Sequence, residues 1–287
     1  MAKQHVETDS GPVEVQVEGS GPPVLMIHGS PGGSDSSVAM GRFLVDAGFT
    51  LIAPSRPGYL ETPLDSGRAV DEQADLLDEL LEKLGHPTAG VITWSGGGPS
   101  GYRLAVRHPG RVSKLVTFAS VSQKYDPPKE GLDERLIENT GFGNWILRFM
   151  ATHAPKTTVS STLAAEGDLT RGELKELVGE ALVDDRQLDV VLTMARVVAD
   201  HKHRGAGLDN DMARFAAIDS LELERVKAPT FLIHGSADTD VPPAHSEFAA
   251  SVIPGAIHEL MDDGTHLALF VHPECAVFQK KVVDFLS

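Results

Sequence analysis

The sequence predicts an α/β protein whose sheet is mostly parallel, and two observations predict this fold class. Five apolar runs are continuous rather than alternating, as is expected of strands that helices cover on both faces. The runs are VLMI (24–27), FTLIA (49–53), GVIT (90–93), LVTFA (115–119) and TFLIH (230–234). Segments with apolar residues at helical spacing alternate with these runs. Such alternation of strands and helices indicates parallel pairing.

Single elements support this order. VEVQV (13–17) alternates apolar and polar residues, which predicts a strand with one exposed face. VDEQADLLDELLEKLG (70–85) and SGYRLAVRHPG (100–110) have helical spacing and both end in glycine, which is typical of the position after a helix. The chain therefore follows a βαβαβα order as far as residue 119.

A helical insertion interrupts the sheet after this point. The segments 132–154 and 170–201 have helical periodicity, whereas no convincing strand pattern appears before residue 230. We therefore predict a core made of residues 1–122 and 219–287, and a helical lid formed by residues 123–218. The name "insertion" is used below for residues 123–218.

Composition narrows the expected partners. A chain of 287 residues with 41% hydrophobic content can bury a large core. Its net charge of −16, and the lack of any block of basic residues, argue against binding to nucleic acid or to a membrane surface. No apolar stretch approaches the roughly 18 residues of a membrane span, and Cys275 alone cannot form an intrachain disulfide. We expect a cytoplasmic protein that acts on a small molecule; its oligomeric state is not predicted.

The segment TWSGGGPSG (93–101) places one serine at a sharp strand-to-helix turn. Backbone atoms two residues to either side of Ser95 nearly touch in such a turn, and the small residues Thr93 and Gly97 occupy those positions. The turn lifts the Ser95 hydroxyl above the sheet edge. It also directs the backbone N–H of Gly96 at whatever Ser95 attacks.

This turn resembles the nucleophile elbow of the α/β-hydrolase superfamily, in which the motif is G-x-S-x-G; Thr93 stands here for the first glycine. HGSPGG (28–33) resembles the oxyanion loop of that family. The resemblance implies that the backbone N–H of Ser30 is a second oxyanion donor, opposite the N–H of Gly96. Each such donor contributes ~3–4 kcal/mol of transition-state stabilisation. His28 is expected to hold the loop in shape.

Two further segments resemble the family in the order that its fold produces. GSADTDVPP (235–243) resembles the segment that supplies the acid, which implies that Asp238 orients the histidine; Asp240 is the local competitor. ELMDDGTHLALF (259–270) resembles the segment that supplies the general base, which implies that His266 takes the proton of Ser95.

Other polar motifs receive no catalytic role. His201 and His203 lack cysteines or carboxylates at ligand spacing, so neither a metal nor any other cofactor is expected. The loop SRPGYLETP (55–63) resembles one that borders the site entrance in the family, but its usual leading aspartate is Ser55 here. The predicted substrate contacts are Trp94, which the turn places beside the nucleophile, and Trp145 in the insertion.

The identity of the nucleophile limits the reactions that are expected. Dehalogenases and epoxide hydrolases of this family attack with a carboxylate, whereas a serine is suited to acyl transfer. The resemblance implies a serine hydrolase that cleaves a small, mostly apolar carboxylic ester through an acyl-enzyme intermediate. Three alternatives stay open: a prolyl-type aminopeptidase with Glu134 or Glu138 holding the substrate amine, a C–C bond hydrolase, and a ligand-binding receptor without catalysis.

Overall fold

Eight strands form one sheet in the residues that the structure, a computed structural model, describes: 3–125 and 155–287. The order is β1-β2-β4-β3-β5-β6-β7-β8. The pairs β1·β2 and β2·β4 are antiparallel, and the other pairs are parallel. The strands are β1 Lys3–Glu7, β2 Pro12–Glu18, β3 Pro23–Ile27, β4 Thr50–Pro54, β5 Ala89–Trp94, β6 Val112–Phe118, β7 Thr230–Gly235 and β8 Ile257–Met261. The predicted fold class is confirmed.

Helices cover both faces of this sheet. They are α1 Ser34–Asp46, α2 Val70–Lys83, α3 Gly98–Arg107, α4 Pro155–Ala165, α5 Arg171–Ala181, α6 Asp185–Val198, α7 His201–Ala216, α8 Ala244–Val252 and α9 Cys275–Leu286. Val24 and Met26 of β3 belong to one apolar cluster, whereas Leu25 and Ile27 belong to the other. Successive residues of a central strand are therefore all buried, which explains why the predicted strands are continuous apolar runs.

The insertion contributes four described helices, α4 to α7, which follow β6 and precede β7. The pattern at 170–201 corresponds to α5 and α6. Thr170 caps α5 in a reciprocal arrangement with Glu173, and Asp184 caps α6. Val159, Leu163, Leu177 and Val191 of the insertion belong to the same apolar cluster as Met26 of β3, so α4, α5 and α6 pack on the same face as α1.

Several predictions fall outside the described residues. These are the helical segment predicted at 132–154, the substrate contact Trp145, and the carboxylates Glu134 and Glu138. In residues 3–125 and 155–287, no helix is long and apolar enough to cross a bilayer.

Strand β1 has no counterpart among the predicted elements. Four of its five residues are polar and most are exposed, because it forms one edge of the sheet and, in the described chain, pairs only with β2. Its stability comes from backbone hydrogen bonding rather than from burial, so it lacks the apolar pattern by which the other strands are predicted.

Candidate active site

Ser95 lies between β5, which ends at Trp94, and α3, which begins at Gly98. Its φ of 53° is in the left-handed region, which is strained for a residue with a side chain. The predicted small flank at Gly97 is required, because a Cβ added there would lie 2.6 Å from the carbonyl oxygens of both Ile27 and His28. The turn therefore packs directly against the end of β3.

The structure brings the three predicted residues Ser95, His266 and Asp238 into one hydrogen-bonded chain. His266 Nε2 lies 2.8 Å from Ser95 Oγ, and His266 Nδ1 lies 2.7 Å from Asp238 Oδ2. Asp238 follows β7 and His266 follows β8, so parallel strands deliver all three side chains to one edge of the sheet. An Nδ1–H that donates to Asp238 leaves Nε2 free to accept the proton of Ser95.

Asp238 is surrounded by hydrogen-bond donors. Its Oδ1 accepts the backbone N–H groups of Asp240 at 2.9 Å and Val241 at 3.0 Å. Its Oδ2 lies 3.1 Å from Nε2 of the buried His234, as well as accepting from His266. Burial raises the pKa of Asp238, but the charge of His266 and the hydrogen bonds from both histidines outweigh it and hold that pKa well below its usual range. Asp238 is therefore ionised.

The contact between His234 and Asp238 is not predicted from the sequence. Its Nε2 also donates to the carbonyl oxygen of Val241 at 2.8 Å, while its Nδ1 has no partner among the described residues. Because Nε2 carries the hydrogen, His234 presents a donor to the carboxylate of Asp238. The apolar run TFLIH predicts only a buried strand and carries no sign of this role.

The predicted competitor Asp240 does not take the place of Asp238. Asp240 is exposed, and its backbone N–H donates to the carboxylate of Asp238. Within the described chain, no hydrogen bond joins the Asp240 carboxylate to His266.

The pKa of His266 is raised. Burial alone would lower it, but the charge and hydrogen bond of Asp238, and then the charges of Asp240 and Glu166, raise it to about 9. Glu166, which follows α4 in the insertion, also accepts the backbone N–H of His266 on its carbonyl oxygen at 2.9 Å. Burial and the nearby Asp240 raise the pKa of the Glu166 carboxyl to about 8. Nothing in the sequence pattern of the insertion singles out this residue.

The two predicted oxyanion donors are adjacent. A Cβ added at Gly96 would overlap the Ser30 hydroxyl and lie 2.9 Å from Ser30 Cβ, so the two residues are in direct contact. In the described residues, neither the N–H of Ser30 nor that of Gly96 donates to a protein acceptor. Both N–H groups are therefore available beside Ser95.

His28 is fixed in its neutral form. Its Nε2 accepts the backbone N–H of Arg56 at 2.9 Å, and its Nδ1 lies 2.7 Å from the carbonyl oxygen of Gly29. Burial and the charge of Arg56 hold the pKa of His28 well below its usual value. This arrangement anchors residues 28–33, called the oxyanion loop below, to the loop after β4.

Trp94 supports the loop that carries His266. Its indole Nε1 donates to the carbonyl oxygen of His266 at 3.1 Å, and the two rings are 5.3 Å apart. The side chain is buried within an apolar cluster. A contact between Trp94 and a substrate stays a prediction.

In the described part of the chain, no three His, Cys, Asp or Glu side chains are arranged to hold a metal ion.

Comparison with known proteins identifies the family. Residues 22–273 match the alpha/beta hydrolase fold family, and the chain belongs to this family. Its fold is similar to that of a solved alpha/beta hydrolase fold protein from Nakamurella multipartita, with a TM-score of 0.96 and 47% identity over 99% of both chains.

Two curated relatives have named activities. A pimeloyl-[acyl-carrier protein] methyl ester esterase from Aromatoleum aromaticum is 31% identical over 91% of this chain and 98% of the relative. A 2-hydroxymuconate semialdehyde hydrolase from Pseudomonas putida is 26% identical over 94% of this chain and 89% of the relative. The family and these relatives support an enzyme of the hydrolase class.

The two neighbouring carboxylates generate a first prediction. Asp238→Asn should lower kcat for a p-nitrophenyl ester by about 10⁴-fold, because only Asp238 holds the tautomer of His266. Asp240→Asn, the matched control, should have a far smaller effect. If the two variants rank in the opposite order, the acid is wrongly assigned.

The raised pKa of His266 generates a second prediction. His266 accepts the proton of Ser95 only when it is neutral, so kcat/KM should rise with pH through a midpoint near 9, well above 6.5. Glu166→Gln removes a negative charge that favours protonated His266, and should therefore move the midpoint to lower pH. The measurement is ester hydrolysis between pH 5 and 10.5, corrected for spontaneous hydrolysis. A wild-type midpoint at or below 6.5 would contradict the electrostatic account.

Proposed function

We propose that the protein is a serine hydrolase that cleaves a small, mostly apolar carboxylic ester. The observation that carries this proposal is the continuous hydrogen-bonded chain from Ser95 through His266 to Asp238, with distances of 2.8 and 2.7 Å. Ser95 is the nucleophile, His266 the general base, and Asp238 the acid that orients it.

The geometry supports a two-stage reaction. His266 Nε2 removes the proton of Ser95 as Oγ attacks the ester carbonyl, and the negative charge forms on an oxygen held by the N–H groups of Ser30 and Gly96. His266 then gives its proton to the leaving alcohol, which produces an acyl-enzyme. A water molecule that His266 deprotonates attacks the acyl group and releases the carboxylic acid.

The charges around His266 suit this sequence of steps. The imidazolium that forms during each attack lies beside the ionised Asp238, which stabilises it without taking its proton. No step needs a metal or an organic cofactor. We therefore propose that the protein acts without one.

The insertion is the proposed lid over this site. Its described part contacts the loops that carry Asp238 and His266. The backbone N–H of Asp168 donates to the carbonyl oxygen of Ala237, and the carbonyl oxygen of Glu166 accepts the backbone N–H of His266. Residues 123–218 are therefore proposed as the segment that shapes the substrate pocket, with Trp94 and Trp145 as apolar contacts. The esterase from Aromatoleum aromaticum supports an ester as the substrate.

A C–C bond hydrolase is the second candidate. The observation that favours it is the 26% identity, over most of both chains, to an enzyme named as a 2-hydroxymuconate semialdehyde hydrolase. The same nucleophile, base and oxyanion donors serve acyl transfer from carbon as well as from oxygen. The two candidates differ only in the leaving group that the pocket accepts.

The assignment of the nucleophile yields a third prediction. Ser95→Ala should abolish covalent labelling by a fluorophosphonate and lower kcat for ester hydrolysis by ~10⁴-fold or more, because the attacking oxygen is lost. Ser100→Ala is the matched control, since the Ser100 hydroxyl lies in the same motif but bonds the Gly97 carbonyl instead of His266. Residual turnover by Ser95→Ala within tenfold of the wild type would overturn the proposal.

A substrate panel separates the candidates and gives a fourth prediction. We expect the highest kcat/KM for short apolar p-nitrophenyl esters, lower values for aminoacyl anilides, and lower values again for vinylogous 1,3-diketones. Dialysis against EDTA should leave the rate unchanged, because no step uses a metal. Preferential cleavage of the diketones would favour the C–C bond hydrolase, and preferential cleavage of prolyl anilides the aminopeptidase.

A further inference from the structure

A buried ion pair joins the insertion to the oxyanion loop. Arg56, in the loop after β4, donates from Nη1 to Asp211 Oδ1 at 3.0 Å and from Nη2 to Asp211 Oδ2 at 2.6 Å. Asp211 belongs to α7 of the insertion. Both side chains are only 2% exposed. Neither of them hydrogen-bonds to Ser95, His266 or Asp238 within the described residues.

Arg56 also donates hydrogen bonds to three consecutive residues of the oxyanion loop. Nε donates to the carbonyl oxygen of His28 at 3.1 Å. Nη2 lies 3.0 Å from the carbonyl oxygen of Gly29 and 2.9 Å from Ser30 Oγ. One rigid, planar guanidinium therefore sets the positions of three atoms along this loop.

The contact with Gly29 determines where the Ser30 N–H points. The carbonyl of Gly29 and the N–H of Ser30 belong to the same planar trans peptide group, in which the two bonds point in opposite directions. Arg56 and His28 both bind the Gly29 oxygen from one side. The N–H of Ser30 is consequently directed to the other side, away from Arg56 and free of protein acceptors.

Asp211 holds the same peptide group through the side chain of Ser30. The Ser30 hydroxyl donates to Asp211 Oδ2 at 2.5 Å, and the Tyr59 hydroxyl donates to the same oxygen at 2.6 Å. The Asp211 carboxylate thus accepts from Ser30 in the oxyanion loop and from Arg56 and Tyr59 in the loop after β4. Burial and the charge of Asp211 raise the pKa of Tyr59 well above its usual value, so Tyr59 remains a donor.

Stability alone does not account for this arrangement. Removing two charges from water costs several kcal/mol for each ion, and well-packed apolar side chains often stabilise a protein as much as a buried ion pair does. The ion pair gives the hydrogen bonds to the oxyanion loop a fixed direction. Apolar side chains could not do this.

We propose that Arg56 and Asp211 are positioning residues for the oxyanion hole: they fix the Gly29–Ser30 peptide so that the Ser30 N–H points at the oxyanion. Because Asp211 is carried by α7, correct seating of the insertion is a condition for a complete oxyanion hole. This inference rests on the proposed function, which assigns the Ser30 N–H to the oxyanion.

Three variants test the positioning role. Asp211→Asn keeps the shape of the side chain but removes the charge, and Ser30→Ala removes the hydroxyl but keeps the N–H. Asp71→Asn is the control, because Asp71 forms a two-pronged pair with Arg103 between α2 and α3 and, among the described residues, has no hydrogen bond to the oxyanion loop. Ser30→Ala leaves the Arg56–Asp211 pair intact, so it serves as the test even if Asp211→Asn does not fold.

The expected results distinguish a positioning role of Asp211 from a general effect of the substitution on folding. Complete removal of an oxyanion donor costs ~10²–10³-fold in kcat, so a misdirected donor in Asp211→Asn should cost about 10- to 100-fold, with KM little changed. Affinity for an alkyl trifluoromethyl ketone, which forms an oxyanion with Ser95, should fall by a similar factor. The pH midpoint of kcat/KM should not move, since His266 and Asp238 are untouched. Asp71→Asn should keep the wild-type kcat and ketone affinity.

A double-variant cycle completes the test. Ser30→Ala/Asp211→Asn should lose little more kcat than the worse single variant, because both changes release the same peptide group. If Asp211→Asn or Ser30→Ala folds and keeps kcat and ketone affinity within threefold of the wild type, this inference is overturned while the proposed function stands. If the wild type shows no turnover that depends on Ser95, the proposed function and this inference are both overturned.

Discussion

The close approach of two loops at the carboxyl end of the sheet is the constraint on which the site depends. A Cβ added at Gly29 would lie 2.8 Å from Ser95 Cβ, and one added at Gly97 would lie 2.6 Å from the carbonyl oxygen of His28. Glycine at these two positions lets the oxyanion loop and the Ser95 turn pack backbone against backbone. This close approach brings Ser30 and Gly96, whose backbone N–H groups have no acceptor among the described residues, to the neighbourhood of Ser95.

Two buried carboxylates hydrogen-bond to residues around Ser95, and each is surrounded by donors. Asp238 has two backbone N–H groups and two histidines around it, whereas Asp211 receives a guanidinium and two hydroxyls. A carboxylate left unpaired at such depth would cost several kcal/mol, so each depends on its complete set of donors. Asp238 hydrogen-bonds to His266, whereas Asp211 hydrogen-bonds to Ser30 of the oxyanion loop.

The parts of the site that the sequence predicts are those encoded in short segments. Ser95 and Asp238 each follow a strand that its apolar run predicts, and His266 lies in a segment that resembles the corresponding segment of the family. Parallel strands bring their carboxyl ends to one edge of the sheet whatever the rest of the chain does. Arg56 and Asp211 are 155 residues apart, and only the packing of α7 on the loop after β4 brings them together. The loop that contains Arg56 has Ser55 in place of the usual aspartate of the family, so its sequence predicts no role for Arg56. Strand β1 is not predicted, because an exposed edge strand needs no apolar face and therefore lacks the apolar pattern by which strands are recognised.

The carbonyl oxygen of Glu166 and the carboxylate of Asp211 both belong to the insertion. The first accepts the backbone N–H of His266, and the second accepts the Ser30 hydroxyl of the oxyanion loop. The insertion is therefore not a module that can be exchanged freely between relatives. A chimaera that receives a foreign insertion keeps Ser95, His266 and Asp238, but it leaves Arg56 buried without a counter-charge unless the donor segment carries an acid at the position of Asp211. The insertion and the rest of the chain therefore have to be inherited, or redesigned, as a matched set.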